Sequence, residues 1–177
     1  MHHYTYSWGK ESEGDMTYLP YLIKVTVKLP AEEMWKEWER SITDVENCWM
    51  WPTKYSKPRA DEVPLRDGTT FHLDYQMPNY RDPDGPLLDL SYDYKMVKWR
   101  PEEMYCDYEG VGSHPFRGGA SVSVKPIDEA FCLLHWEGRY QYKTGEKGML
   151  GMERNSARYF NAFLIAVAEN IQDKTGH

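Results

Sequence analysis

Tyr21-Leu22-Ile23-Lys24-Val25-Thr26-Val27-Lys28-Leu29-Pro30-Ala31-Glu32-Glu33-Met34-Trp35 is the stretch that decides the fold class. Tyr21, Ile23, Val25 and Val27 alternate with Leu22, Lys24, Thr26 and Lys28, the period of a half-buried strand rich in β-branched residues. Pro30 ends the strand and suits the first position of a helix, because its ring fixes φ. Glu32 and Glu33 fall in the first turn, where the helix dipole favours carboxylates. Met34, Trp35, Trp38 and Ile42 then recur on one helical face. Thr43-Asp44-Val45-Glu46 has the spacing of a capping box and predicts a second short helix, filled by Trp49, Met50 and Trp51 and closed by Pro52.

Beyond this passage the period is that of strands. Phe71, Leu73, Tyr75 and Met77 alternate with Thr70, His72, Asp74 and Gln76. Residues 78–86 are turn chemistry throughout. Leu88, Leu90, Tyr92, Tyr94 and Met96 form the next alternating face, followed by Met104, Cys106 and Tyr108, then by Ala120, Val122 and Val124. Residues 131–142 make the last strand, and residues 55–66 suggest one more. After the glycines Gly145, Gly148 and Gly151 the chain closes with a long helix. Phe160, Phe163, Leu164, Val167 and Ile171 mark its apolar stripe.

The 177 residues fit one domain, placed at 18–177. The polar residues 1–17 read as a tail or an added edge segment. The formal net charge of −7 argues against binding nucleic acid or an anionic membrane. The three cysteines, Cys48, Cys106 and Cys132, show no metal or redox spacing and read as buried thiols of a cytoplasmic protein. No apolar run reaches the roughly 18 residues of a membrane span. Aromatics make up 15% of the chain, with 14 Tyr and 7 Trp. Each joins a large apolar body to a polar tip, which suits a lined cavity that is apolar but not dry.

The order of elements predicts an α+β fold. A strand, two short helices and further antiparallel strands, about seven strands in all, end in one long helix. One helix cannot fill the concavity of so wide a sheet, so the space between them is a ligand cavity. This order, with the Leu29-Pro30-Ala31-Glu32-Glu33-Met34-Trp35 passage and the closing helix, resembles the helix-grip superfamily called SRPBCC over roughly residues 18–174. That superfamily holds the START domains, the birch-pollen allergen and the polyketide cyclase/dehydrase proteins. The resemblance implies a curved sheet wrapped around the C-terminal helix and says little about activity. The iron-binding oxygenase branch is set aside, because His72, His114 and His135 are isolated in sequence. No metal site and no cofactor are expected.

The last strand carries the main chemical candidates. His135, Glu137 and Arg139 share one face, with Trp136, Tyr140 and Tyr142 on the other. In one reading the charged trio enters the cavity: His135 shuttles a proton, Glu137 orients it and Arg139 holds a substrate oxygen. A bulge at Gly138 would help turn such side chains inward. In the other reading the trio is a solvated charge ladder, which the apolar second face favours. The trio is put forward as catalytic on the chemical argument. Trp35, Trp38, Tyr75, Tyr92, Tyr94, Tyr108, Trp136 and Phe163 are put forward as ligand-binding. His72 and Asp74 share a strand face, and His114 with Arg117 tips a Gly-rich connection at the cavity mouth.

The function expected is binding of a hydrophobic, aromatic or polycyclic small molecule. With it the resemblance implies cofactor-free cyclisation, dehydration or aromatisation of a polyketide-like substrate. A non-enzymatic carrier or sensor and a protein-interaction module are the alternatives, and a homodimer is left open.

Overall fold

The computed structural model describes residues 4–51, 58–77, 84–86, 88–112, 114, 117–146 and 161–176, with only the backbone described at 75–77, 88, 90, 117 and 161–163. Nine strands form one antiparallel sheet: β1 (Tyr4–Trp8), β2 (Glu11–Glu13), β3 (Met16–Val27), β4 (Pro58–Ala60), β5 (Thr70–Met77), β6 (Leu88–Arg100), β7 (Tyr105–Val111), β8 (Arg117–Pro126) and β9 (Cys132–Lys143). Their order is β1-β3-β9-β8-β7-β6-β5-β4, with β2 also on β3. Two α-helices are described, α1 (Ala31–Thr43) and α2 (Asn161–Thr175). Residues of the polar N-terminal stretch add β1 and β2 to the sheet.

The alternation at 21–27 extends back to Met16, and every second side chain from Thr17 to Val27 is buried. Pro20 is accommodated in this strand because its carbonyl points to the gap between β1 and β2, where it accepts the Gly9 N–H at 3.0 Å. The missing Pro20 N–H points to that same gap and breaks no ladder. Pro30 precedes α1, whose Met34, Trp35, Trp38 and Ile42 are all buried.

The expected second helix is reduced to a 3-10 turn at Val45–Asn47. Thr43 belongs to α1, where its hydroxyl donates to the Glu39 carbonyl at 3.0 Å, so it cannot cap a new helix. Asp44 binds the Asn47 amide instead. The chain from Cys48 to Trp51 is fixed by other means. Glu37, 2% exposed, accepts the Trp49 N–H at 2.7 Å and pairs with Arg40 at 2.7 Å. Asn170 of α2 donates to the Trp49 and Met50 carbonyls, both at 2.8 Å. Glu37→Ala leaves a backbone donor unsatisfied in the interior. Its expected cost is about 2–3 kcal/mol, read as a lower urea midpoint with unchanged slope.

The stripe of α2 faces the sheet: Leu164, Val167, Ala168 and Ile171 are buried. Phe160 and the Phe163 side chain lie outside the described residues. Tyr4 of β1 donates to Glu169 at 3.2 Å, tying the N-terminal strand to this helix.

Candidate functional site in the aromatic cavity

The inner faces of β3, β5–β9, α1 and α2 enclose an aromatic cavity. Burial on β9 decides which side chains point in. Trp136, Tyr140 and Tyr142 are buried, while Glu137 and Arg139 are exposed and His135 half-buried. The pairings of β9 with β3 and β8 run without a break from Cys132 to Gln141, so no bulge at Gly138 switches the face. The bulge lies instead on β6, at Val97.

The expected placement of His135, Glu137 and Arg139 in the cavity is met only in part: the three side chains alternate with the inward set, although Arg139 also borders the inner cavity. His135 Nε2 lies 3.2 Å from Glu137. The Arg139 guanidinium lies over the Tyr18 ring, 4.7 Å from its centroid, on that outer face. Glu137 and Arg139 border a broad, open outer concavity of about 1160 Å³. It is larger than the inner cavity, but its carboxylates are solvated and its floor is glycine backbone. A site there cannot exclude water from a ligand, so the enclosed inner space is the better candidate.

Inside, Trp136 donates from Nε1 to the Tyr108 hydroxyl at 2.8 Å. Phe71 stacks on Tyr94 at 5.2 Å and meets Tyr108 edge-on at 5.5 Å. Trp38 meets Trp136 edge-on at 5.4 Å and donates to the Cys106 sulfur at 3.4 Å. Tyr21 and Tyr140 stack at 5.3 Å. Burial pushes the Tyr21 hydroxyl up to about 12, although hydrogen bonds with Tyr140, Tyr108 and Trp136 oppose it. Burial likewise raises Tyr94 and Tyr108. These phenols stay neutral near pH 7 and serve as hydrogen-bond donors.

The residue that brings proton chemistry to this space is His114. It is 4% exposed, and its Nε2 lies 3.0 Å from the Tyr94 hydroxyl. Its ring packs on Tyr92 at 4.6 Å and on Tyr94 at 4.9 Å. Sequence reasoning placed it at the mouth of the cavity, because a Gly-rich turn has no period that reports direction.

The other expected ligand residues divide. Trp38, Tyr94, Tyr108 and Trp136 border the cavity. Tyr92 reaches it through His114. Trp35 does not border it: the ring stacks on Trp99 at 5.0 Å, under α1. The Tyr75 and Phe163 side chains lie outside the described residues. His72 turns from Asp74 to Asp93 and Asp61. Among the described residues no group of three His, Cys, Asp or Glu side chains is placed to hold a metal ion. No described helix is long and apolar enough to cross a membrane. The free volume left between the rings is about 40 Å³, so the cavity stands nearly closed.

No family model matches the sequence, and no curated protein matches it. Solved structures do match the fold. Truncated norcoclaurine synthase from Thalictrum flavum superposes with a TM-score of 0.62 at 14% identity, covering 94% of this chain and 99% of that one. The Zhui aromatase/cyclase from a Streptomyces gives 0.59 at 15% identity, over 89% and 94%. The di-domain ARO/CYC BexL gives 0.58 at 13% identity, and there this chain's 86% match spans only 46% of the partner, about one half of the two-domain protein. The fold is the helix-grip fold that these solved structures share. In helix-grip terms, β3–α1 is the strand-to-helix passage and α2 the gripped helix. The aromatic space between α2 and the sheet is the cavity that the fold creates.

Proposed function

We propose that this protein binds an aromatic or polycyclic small molecule in the helix-grip cavity, and that His114 with Tyr94 moves a proton in a cofactor-free cyclisation or dehydration of a polyketide-like substrate. The observation that carries the reading is the 3.0 Å contact between an imidazole and a neutral phenol inside aromatic walls. A base and an acid that share a hydrogen bond suit a dehydration. The His114 imidazole takes a proton from carbon, the carbon–oxygen bond breaks, and the leaving hydroxyl takes the Tyr94 proton and departs as water. His114 then returns its proton to Tyr94 and the pair is restored. Tyr108, held by the Trp136 N–H, is a donor for a substrate oxygen. Two of the similar solved structures are, by their names, aromatase/cyclases, which supports cyclase chemistry over simple carriage.

Trp38, Trp51 and Trp136 border the cavity and report on occupancy. Titration with naphthol, a neutral phenolic probe, is expected to quench tryptophan fluorescence in a saturable way. Tyr108→Phe removes a donor and is expected to weaken naphthol about tenfold. His114→Ala is expected to abolish any turnover while naphthol still binds. Absence of saturable quenching, or equal affinity in Tyr108→Phe, would reject the cavity as the binding site.

A further inference from the structure

On the outer face of the sheet the His72 ring is held between two carboxylates. Nδ1 lies 2.5 Å from Asp93 on β6, and Nε2 lies 3.0 Å from Asp61 in the loop after β4. An ionised carboxylate accepts hydrogen bonds and cannot donate them. Two ring nitrogens that each face one can both donate only when the ring is an imidazolium, so this geometry favours the protonated form. Arg59 on β4 stands directly opposite His72 and attracts Asp61, and the Thr70 hydroxyl also binds Asp61. Asp74 is two residues along β5, Lys95 two residues along β6 from Asp93, and Val111 of β7 is paired with Asp93.

These contacts tie together two walls of the cavity. Pro58 of β4 borders the cavity, as do Phe71 and Leu73, which alternate with His72 on β5. Asp61 continues β4, and its N–H bonds to the Thr70 carbonyl at 3.0 Å. Asp93 alternates with Tyr92 and Tyr94, and its carboxylate lies under Gly112, where a Cβ would come within 3.1 Å. The turn there carries His114, whose N–H bonds to the Val111 carbonyl at 3.1 Å. About 40 Å³ is free between the described rings of this wall.

We propose that the His72 imidazolium is a pH-responsive clamp on this wall, holding β4 and its following loop to β5 and β6, and that loss of its proton releases them. The clamp itself rests on the fold, and only its service to a ligand rests on the function proposed above. Partial burial lowers the His72 pKa, but the hydrogen bonds and charges of Asp93 and Asp61 outweigh it, and the result lies above the ordinary 6.5. For a group raised in the folded state, the stabilisation is complete below the ordinary value and is lost as pH rises through the raised one.

The test is amide exchange without any ligand, as protection factors corrected for intrinsic rates, between about pH 6 and pH 9. The Asp61 and His114 amides are expected to lose about threefold or more in protection as the His72 ring titrates by NMR, while Ile23 in β3 stays constant. In His72→Gln, and in Asp93→Asn should the first variant fold poorly, protection at Asp61 is low at every pH and the step is gone. A flat wild-type profile, a step away from the ring's own midpoint, or a step that persists in both variants would overturn the clamp. None of these outcomes depends on naphthol binding.

Discussion

Trp38→Ala is expected to cost about 3–5 kcal/mol, the largest loss for any single truncation described here. The indole is 2% exposed and lies where α1 meets the sheet. It packs edge-on against Trp136 at 5.4 Å and donates to Cys106 at 3.4 Å. Removing it leaves a void between two layers that are both fixed. Burial already pushes the Cys106 thiol up to about 12, so no charged group is there to draw water in. A urea midpoint shifted by less than the equivalent of about 1 kcal/mol would show that α1 does not seal the sheet as described.

Gly118→Val is expected to cost on the order of 4 kcal/mol, from a disallowed backbone conformation and overpacking together. Gly118 has φ +136°, which β-branched residues do not adopt. A Cβ there would also stand 2.2 Å from the Arg139 carbonyl oxygen, which belongs to the sheet and cannot rotate away. The expected readout is loss of the cooperative thermal transition, or a fall of several degrees in Tm. A wild-type Tm would mean that β8 and β9 do not approach as closely as the structure has them.

Much of the fold was legible because period and punctuation act locally. The alternation at Tyr21–Val27, the proline at 30 and the stripe Leu164, Val167, Ile171 each report which side of an element meets the core. The capping-box spacing at Thr43–Glu46 yields only a 3-10 turn because Thr43 belongs to α1 and turns its hydroxyl back into it, a choice that spacing alone does not reveal. On β9, period 2 separates two faces but does not say which one the rest of the chain covers. The apolar run Trp136, Tyr140, Tyr142 marks the buried face, whereas the charge of His135, Glu137 and Arg139 carries no information on direction. His114 sits in a turn where no period exists. Its inward direction comes from the tyrosines at 92 and 94, which are brought beside it only when β6 pairs with β7.

Among the described residues the cavity brings together aromatic walls, neutral phenols and the His114 imidazole. About 40 Å³ is free between its described rings. The central claim is that an aromatic ligand lies between α2 and the sheet rather than on the outer face. The most direct test is isotope-filtered NMR on the protein saturated with naphthol. The account predicts intermolecular NOEs to Trp136, Tyr108 and Phe71. NOEs to Tyr18, Leu22 and Ser121 on the outer face instead, or none to the inner rings at saturation, would contradict it.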